Sequence, residues 1–122
     1  DVARTLSWAF VQHTNVESFQ MKISGMDAKG NVIGETVSQA MGWSGETSNA
    51  FATVTSVYYV RHVGAGDAGN IIDIGITDVL GLSNTIYATS DVFKIKKNNA
   101  NVAVVTGDVS AAYDTYDMHT IG

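Results

Sequence analysis

Apolar and polar positions alternate with a period of two along much of the chain, the pattern of strands with one buried face. Phe19, Met21 and Ile23 alternate with Gln20, Lys22 and Ser24. Asp27-Ala28-Lys29-Gly30-Asn31 follows, a turn in which Gly30 or Asn31 takes positive φ. Val32, Ile33, Glu35 and Val37 then resume the pattern, which predicts a β-hairpin over 18–38. Residues 41–49 read as a loop that is polar apart from Trp43. A long strand rich in Thr, Val and Tyr is expected over 51–62. The run Gly64-Ala65-Gly66-Asp67-Ala68-Gly69 connects it to 70–77, where Ile72, Ile74 and Ile76 share one face.

Beyond Thr77 the signals weaken. Residues 78–84 read as a loop burying Leu80 and Leu82, and 86–88 as a short strand at most. A second hairpin is expected over 91–106, with Phe93 and Ile95 inward, Lys94 and Lys96 outward, and Asn98-Asn99 as its tight turn. Short pieces around Val109 and over 116–119 finish the chain. The N-terminal stretch 2–12 is the only helical candidate, and Trp8, Phe10 and Gln12 alternate there at least as well as they repeat helically.

Composition sharpens the class. Val (15) and Ile (9) outnumber Leu (3) eight to one and come with 12 Thr, so β-branched residues dominate. Proline is absent, which leaves every turn to Gly, Asn and Asp. The expectation is an all-β, single-domain β-sandwich or barrel-like fold of antiparallel hairpins, with about seven to nine strands at this spacing of turn signals. Residues 1–17 form an N-terminal arm or first strand, and 18–122 the β domain. Because the chain opens on Asp1, an upstream segment is expected to have been removed, cleaved or left out of the structure.

Charge and chemistry narrow the function mainly by exclusion. The 7 basic and 12 acidic residues give a net charge of −5, so nucleic acid is not an expected partner. No stretch approaches the roughly 18 apolar residues of a membrane helix, and no membrane partner is expected. Cysteine is absent, excluding disulfides and thiolate chemistry. The G-x-G-x-x-G run at 64–69 precedes a strand rather than a helix, so it reads as a hairpin loop and not as a dinucleotide fingerprint. His13, His62 and His119 lack metal spacing. Asp108, Asp114 and Asp117 could share a Ca²⁺ ion, though solvated edge carboxylates fit them better. Gly42-Trp43-Ser44-Gly45 lacks the spacing and context of a nucleophile elbow. Neither cofactor nor catalysis is expected.

The aromatics carry the remaining signal: Trp8, Trp43, Tyr58, Tyr59, Tyr87, Tyr113 and Tyr116. Tyr58 and Tyr59 must point to opposite faces of their strand. Aromatic side chains with polar tips suit protein interfaces or a sugar platform, and half-buried core rings are the alternative.

The order of the segments "ISGMDAKGNVIGETV" (23–37), "NAFATVTSVYYV" (49–60), "GNIIDIGITDVLGLSN" (69–84), "SDVFKIKKNN" (90–99) and "VTGDVSAAYDTYD" (105–117) resembles the capsid decoration, or cement, proteins of tailed bacteriophages. The resemblance spans about residues 23–117, with Ser83 where the family usually has proline after the Gly-Leu pair. It implies a β-rich subunit on the outer surface of the virion that bridges capsomers, with the major capsid protein and its own copies (a homotrimer or homodimer) as partners. Trp8, Phe10, Trp43 and Tyr59 are the expected interface residues. Residues 1–12 are expected to matter most, by reaching across a capsomer boundary. The competing expectation is a host-recognition or carbohydrate-binding β domain of a phage tail or fibre.

Overall fold

A computed structural model describes residues 2–65, 69–88, 95–97, 99–102 and 108–118. They form ten strands and one 3-10 turn: β1 (Arg4–Gln12), β2 (Val16–Met26), β3 (Val32–Ser38), the turn Gln39–Met41, β4 (Ser44–Glu46), β5 (Thr53–Gly64), β6 (Ile71–Gly81), β7 (Ile95–Lys97), β8 (Ala100–Val102), β9 (Val109–Ser110) and β10 (Thr115–Asp117). The fold is all-β, with antiparallel strands in two main sheets ordered β4-β1-β6-β10-β9 and β3-β2-β5, consistent with a sandwich or barrel-like architecture.

The predicted hairpin 18–38 is β2 and β3, paired from Gln20↔Ser38 to Met26↔Val32. Asp27 builds its turn: Oδ1 accepts the N–H groups of Lys29 and Asn31, each at 2.9 Å, and Gly30 takes φ 84°. The second hairpin is present in its described part, with Ile95↔Val102 pairing and Asn99 at φ 64°. The placements expected for Phe93 and Lys94 lie outside the described residues.

Four expectations are corrected. Residues 4–12 are the first strand, one of the two readings of the N-terminal segment; β1 completes the chain's own sheet between β4 and β6, which corrects the expectation of an arm reaching across a boundary. Residues 44–46 are a strand because β1 pairs with them and Gly45 admits the Trp8 indole, whose Cζ2 would lie 2.9 Å from a Cβ at that position. β6 runs on to Gly81, where a loop was expected, because β10 pairs with Val79, Leu80 and Gly81; Leu80 and Leu82 are only half-buried. The connection from β5 to β6 is no hairpin, since the two strands belong to different sheets.

The core lies between the sheets. Leu6, Trp8 and Phe10 of β1 meet Phe19, Met21 and Ile23 of β2, with Val37 and Phe51 at the sides. Alternation on both strands sends these residues to one face each, as the period-2 pattern requires. Glu35 ties the sheets together on the β3 side, its carboxylate accepting the N–H groups of Ser48 and Asn49, each at 2.9 Å, and Asn49 Nδ2 at 2.8 Å.

A polar tie joins the β2–β3 turn to the chain's end. Lys29 pairs with Asp114 and donates to Thr85 Oγ1 at 2.8 Å, while Asp114 Oδ1 accepts the Ile86 N–H at 3.0 Å. Burial raises the Asp114 carboxyl, but the Lys29 hydrogen bond, the Ile86 N–H and the Lys29 charge outweigh it and hold it below the usual carboxylate value. A carboxyl depressed in the folded state stabilises above its unfolded pKa, and that stability is lost as pH falls through the folded pKa. Asp114→Asn is therefore expected to lower the melting temperature at neutral pH and to leave it nearly unchanged near pH 2. Asn tolerates the φ of 51° found here, so the comparison isolates the charge. A destabilisation independent of pH would contradict this assignment.

Candidate functional site: an open side of the sandwich

Residues directly opposite in an antiparallel pair project from the same face. Leu6, Trp8 and Phe10 sit opposite Ile76, Ile74 and Ile72, so these three isoleucines belong to the inner face of β6. Met21 and Ile23 sit opposite Tyr59 and Val57, which places both on the inner face of β5. Yet Ile76 is 70% exposed, Tyr59 47%, Val57 41% and Ile74 39%. Where β5 and β6 run, the described residues leave these inner-face side chains exposed. Only Ile72 packs against the core.

Among the described residues, no strand pairs with the outer edge of β5. β5 pairs with β2 along one edge and is the last described strand of its sheet; all twelve of its residues are exposed. β6 pairs with β1 along its length, while on the other edge β10 pairs with Val79 to Gly81 and the Met118 N–H donates to the Asp78 carbonyl at 3.1 Å. A long apolar edge strand is a template for another strand. β4 and β9, which end the other sheet, are blunted by being three and two residues long.

An aromatic cluster borders the open side. Phe10 meets Phe19 edge-on at 5.2 Å and Trp43 at 5.7 Å, and Trp43 stacks on His13 at 3.7 Å with the rings nearly parallel. Tyr59 lies 6.3 Å from Phe10, at the boundary between the cluster and solvent. Burial on that side raises the Tyr59 phenol above its ordinary pKa.

The four expected interface residues therefore separate. Trp8 and Phe10 are 1% and 3% exposed, because β1 is an interior strand and both face inward; neither presents a surface, which corrects the expectation. Trp43 is half-buried against the core, and Tyr59 is presented to solvent. As expected, Tyr58 and Tyr59 take opposite faces, Tyr58 lying opposite Lys22 and Tyr59 opposite Met21. Val57, Ile74 and Ile76 were missed as surface residues. Their alternation marks an inner face, and a single strand's pattern carries no information on whether that face is covered.

Asp114 is engaged by Lys29, and no cluster of three or more metal-ligating side chains occurs among the described residues. No helix of the described residues is long and apolar enough to cross a membrane. The described residues define an all-β domain with an exposed apolar side. The chain matches no protein-family model, curated protein or solved structure.

Proposed function

We propose that this chain is a structural virion protein that decorates a bacteriophage capsid and stabilises it by bridging capsomers. The observation that carries the reading is the open side: inner-face residues Val57, Tyr59, Ile74 and Ile76 stand exposed beside the twelve-residue β5, whose outer edge pairs with no strand among the described residues. An apolar side exposed in this way is suited to completion by another protein surface. The segment order over residues 23–117, which resembles capsid decoration proteins, supplies the identity of that surface: the major capsid protein and further copies of the chain. The net charge of −5 favours a place on the outside of the shell, away from packaged DNA. On this reading the chain performs no turnover. Trp43 and Tyr59 are its contact aromatics, and Trp8 and Phe10 support them from the core.

The mechanism is linkage. A protein that binds the assembled shell and not its separated subunits raises the free energy of disassembly with every occupied site. Heads stripped of the protein are expected to release DNA at a lower temperature than decorated heads, and re-addition should restore the difference. Equal release temperatures would overturn the reading.

A second reading rests on the His13–Trp43 stack with Tyr59 near it, an aromatic group that suits a sugar face and hence a host-recognition domain of a tail or fibre. Copy number separates the two. Hundreds of copies per virion, in proportion to the major capsid protein, support decoration; a handful support recognition.

A further inference from the structure

The outer face of the β3-β2-β5 sheet differs in charge from the chain as a whole. Gln20 lies opposite Ser38 on one side and Arg61 on the other, and Lys22 lies opposite Thr36 and Tyr58, so these six side chains share that face. Between Ser18 and Ser24 the face carries two cations, Lys22 and Arg61, and no carboxylate, in a chain with 12 acidic and 7 basic residues. Among the described residues neither cation has an ion-pair partner. Arg61 reaches this face through a bulge. Tyr59 pairs with Met21 and Arg61 with Gln20, which leaves Val60 as the extra residue. A regular strand would send Arg61 inward with Tyr59; the bulge turns it outward, beside Gln20.

At that point the face is concave. A groove of about 320 Å³ is lined by Ser18, Gln20, Ser38, Gln39, Ala40 and Arg61. The 3-10 turn after β3 forms one wall, β2 the floor and Arg61 the opposite wall. We propose that this groove binds an acidic sugar, with the carboxylate on Arg61 and the ring hydroxyls on Gln20, Gln39, Ser18 and Ser38. The volume is at the small end of ligand sites, which suits a single sugar residue. Strands two apart in a sheet are separated by about 10 Å, room for one ring lying across β2 between Ser38 and Arg61.

The donor set selects this class. A guanidinium fork matches a carboxylate with two parallel hydrogen bonds. Carboxamides and hydroxyls both donate and accept, as sugar hydroxyls do, whereas a phosphate accepts only and would meet the two amide oxygens unfavourably. The groove also holds one positive charge, not a track of them. Lys22 leans away from Gln20, its Cε 3.0 Å from where a Cβ would stand on Gly34, which lies opposite Ser24. A polyanion needs repeated cations and would be repelled by the net charge of −5. The inference goes beyond the decoration reading and does not rest on it.

The test follows the amide chemical shifts of the full chain by NMR as sodium glucuronate is added. Shifts should concentrate at residues 18–20, 38–40 and 61 and saturate in the millimolar range. Glucose lacks the charge, while phosphate and glutamate lack the ring hydroxyls; each should bind about tenfold more weakly or worse. Arg61→Gln and Arg61→Lys should both weaken glucuronate binding by about tenfold, since lysine keeps the charge but not the fork. Lys22→Ala, on the same face outside the groove, should change it by less than about twofold. Circular dichroism establishes that the variants fold.

Equal affinity for phosphate would mean that the groove reads charge alone, and equal affinity for glutamate that it receives a protein carboxylate; either result overturns the proposal. So does full affinity in Arg61→Lys, a Lys22→Ala loss as large as that of Arg61→Gln, or the absence of saturable shifts in the groove at tens of millimolar glucuronate. Heads decorated with the Arg61→Gln chain should still release DNA at the temperature of heads carrying the parent chain, so the sugar site and shell stabilisation stand or fail separately.

Discussion

Trp8→Ala is expected to lower the unfolding free energy by about 3–5 kcal/mol, as for other buried tryptophans truncated in a core. A domain of this size has only about 5–15 kcal/mol to lose, so the variant should be barely folded at 37 °C. The indole is 1% exposed, meets Phe19 edge-on at 5.7 Å, and presses against Gly45 of the neighbouring strand. Removing it leaves a cavity between the sheets that the paired backbones of β1, β4 and β6 prevent from collapsing. Trp8→Phe is a useful companion. It keeps a ring in the site and removes the indole Nε1–H, a buried donor with no partner, so its cost should be about 1 kcal/mol. Urea unfolding measures both, with Trp43 as the remaining fluorophore. A Trp8→Ala protein of native stability that had lost only its association would restore Trp8 as a contact residue and undo the placement of β1.

This outcome also separates what the sequence could reveal from what it could not. The β2–β3 hairpin was legible because every cue is local: alternation at Phe19, Met21 and Ile23, then a turn closed by the Asp27 carboxylate and Gly30. β4 was not legible, since Ser44-Gly45-Glu46 has no strand preference of its own and is extended only because β1 lies beside it. The last four residues of β6 were hidden for the same reason. They read as loop until β10, more than 30 residues later, pairs with Val79 to Gly81 and the Met118 N–H bonds the Asp78 carbonyl. Such pairing is set by tertiary contact, which outweighs local propensity.

The candidate site was half legible. Alternation placed Tyr59 on a face opposite Tyr58 and grouped Ile72, Ile74 and Ile76 on one face, and both assignments hold. Burial was then inferred from hydrophobicity, and there the inference failed for Ile74 and Ile76. Whether an apolar face is covered depends on how many strands the opposing sheet contributes. Here a sheet of five strands meets one of three. The same limit misplaced Trp8 and Phe10: an apolar N-terminal segment without a hairpin partner resembles an outreaching arm, yet its partners, β4 and β6, lie far along the chain.

Gly25→Ala should rival Trp8→Ala in cost, at about 3 kcal/mol, through the backbone rather than a cavity. A Cβ at Gly25 would stand 1.9 Å from the Thr53 carbonyl oxygen, 3.0 Å from its carbon and 3.1 Å from Phe51 Cδ1. Backbone atoms cannot rotate away, so β5 must move off β2. That shift strains the pairing of Met26 with Thr53, the 2.8 Å hydrogen bond from Ala52 N–H to the Met26 carbonyl, and the seat of Phe51 in the core. Overpacking a fixed site costs about 1–3 kcal/mol, and weakened backbone hydrogen bonds add about 1 kcal/mol each. Gly34→Ala on β3 is the control: its nearest neighbour would be Lys22 Cε at 3.0 Å, the far part of a flexible side chain that can swing aside. It should cost little. Because β5 begins at this contact, hydrogen exchange in Gly25→Ala should accelerate along β5 before it does in β1. Equal unfolding midpoints for Gly25→Ala and Gly34→Ala would mean that β5 does not approach β2 so closely, and the placement of β5 on which the open side depends would fail.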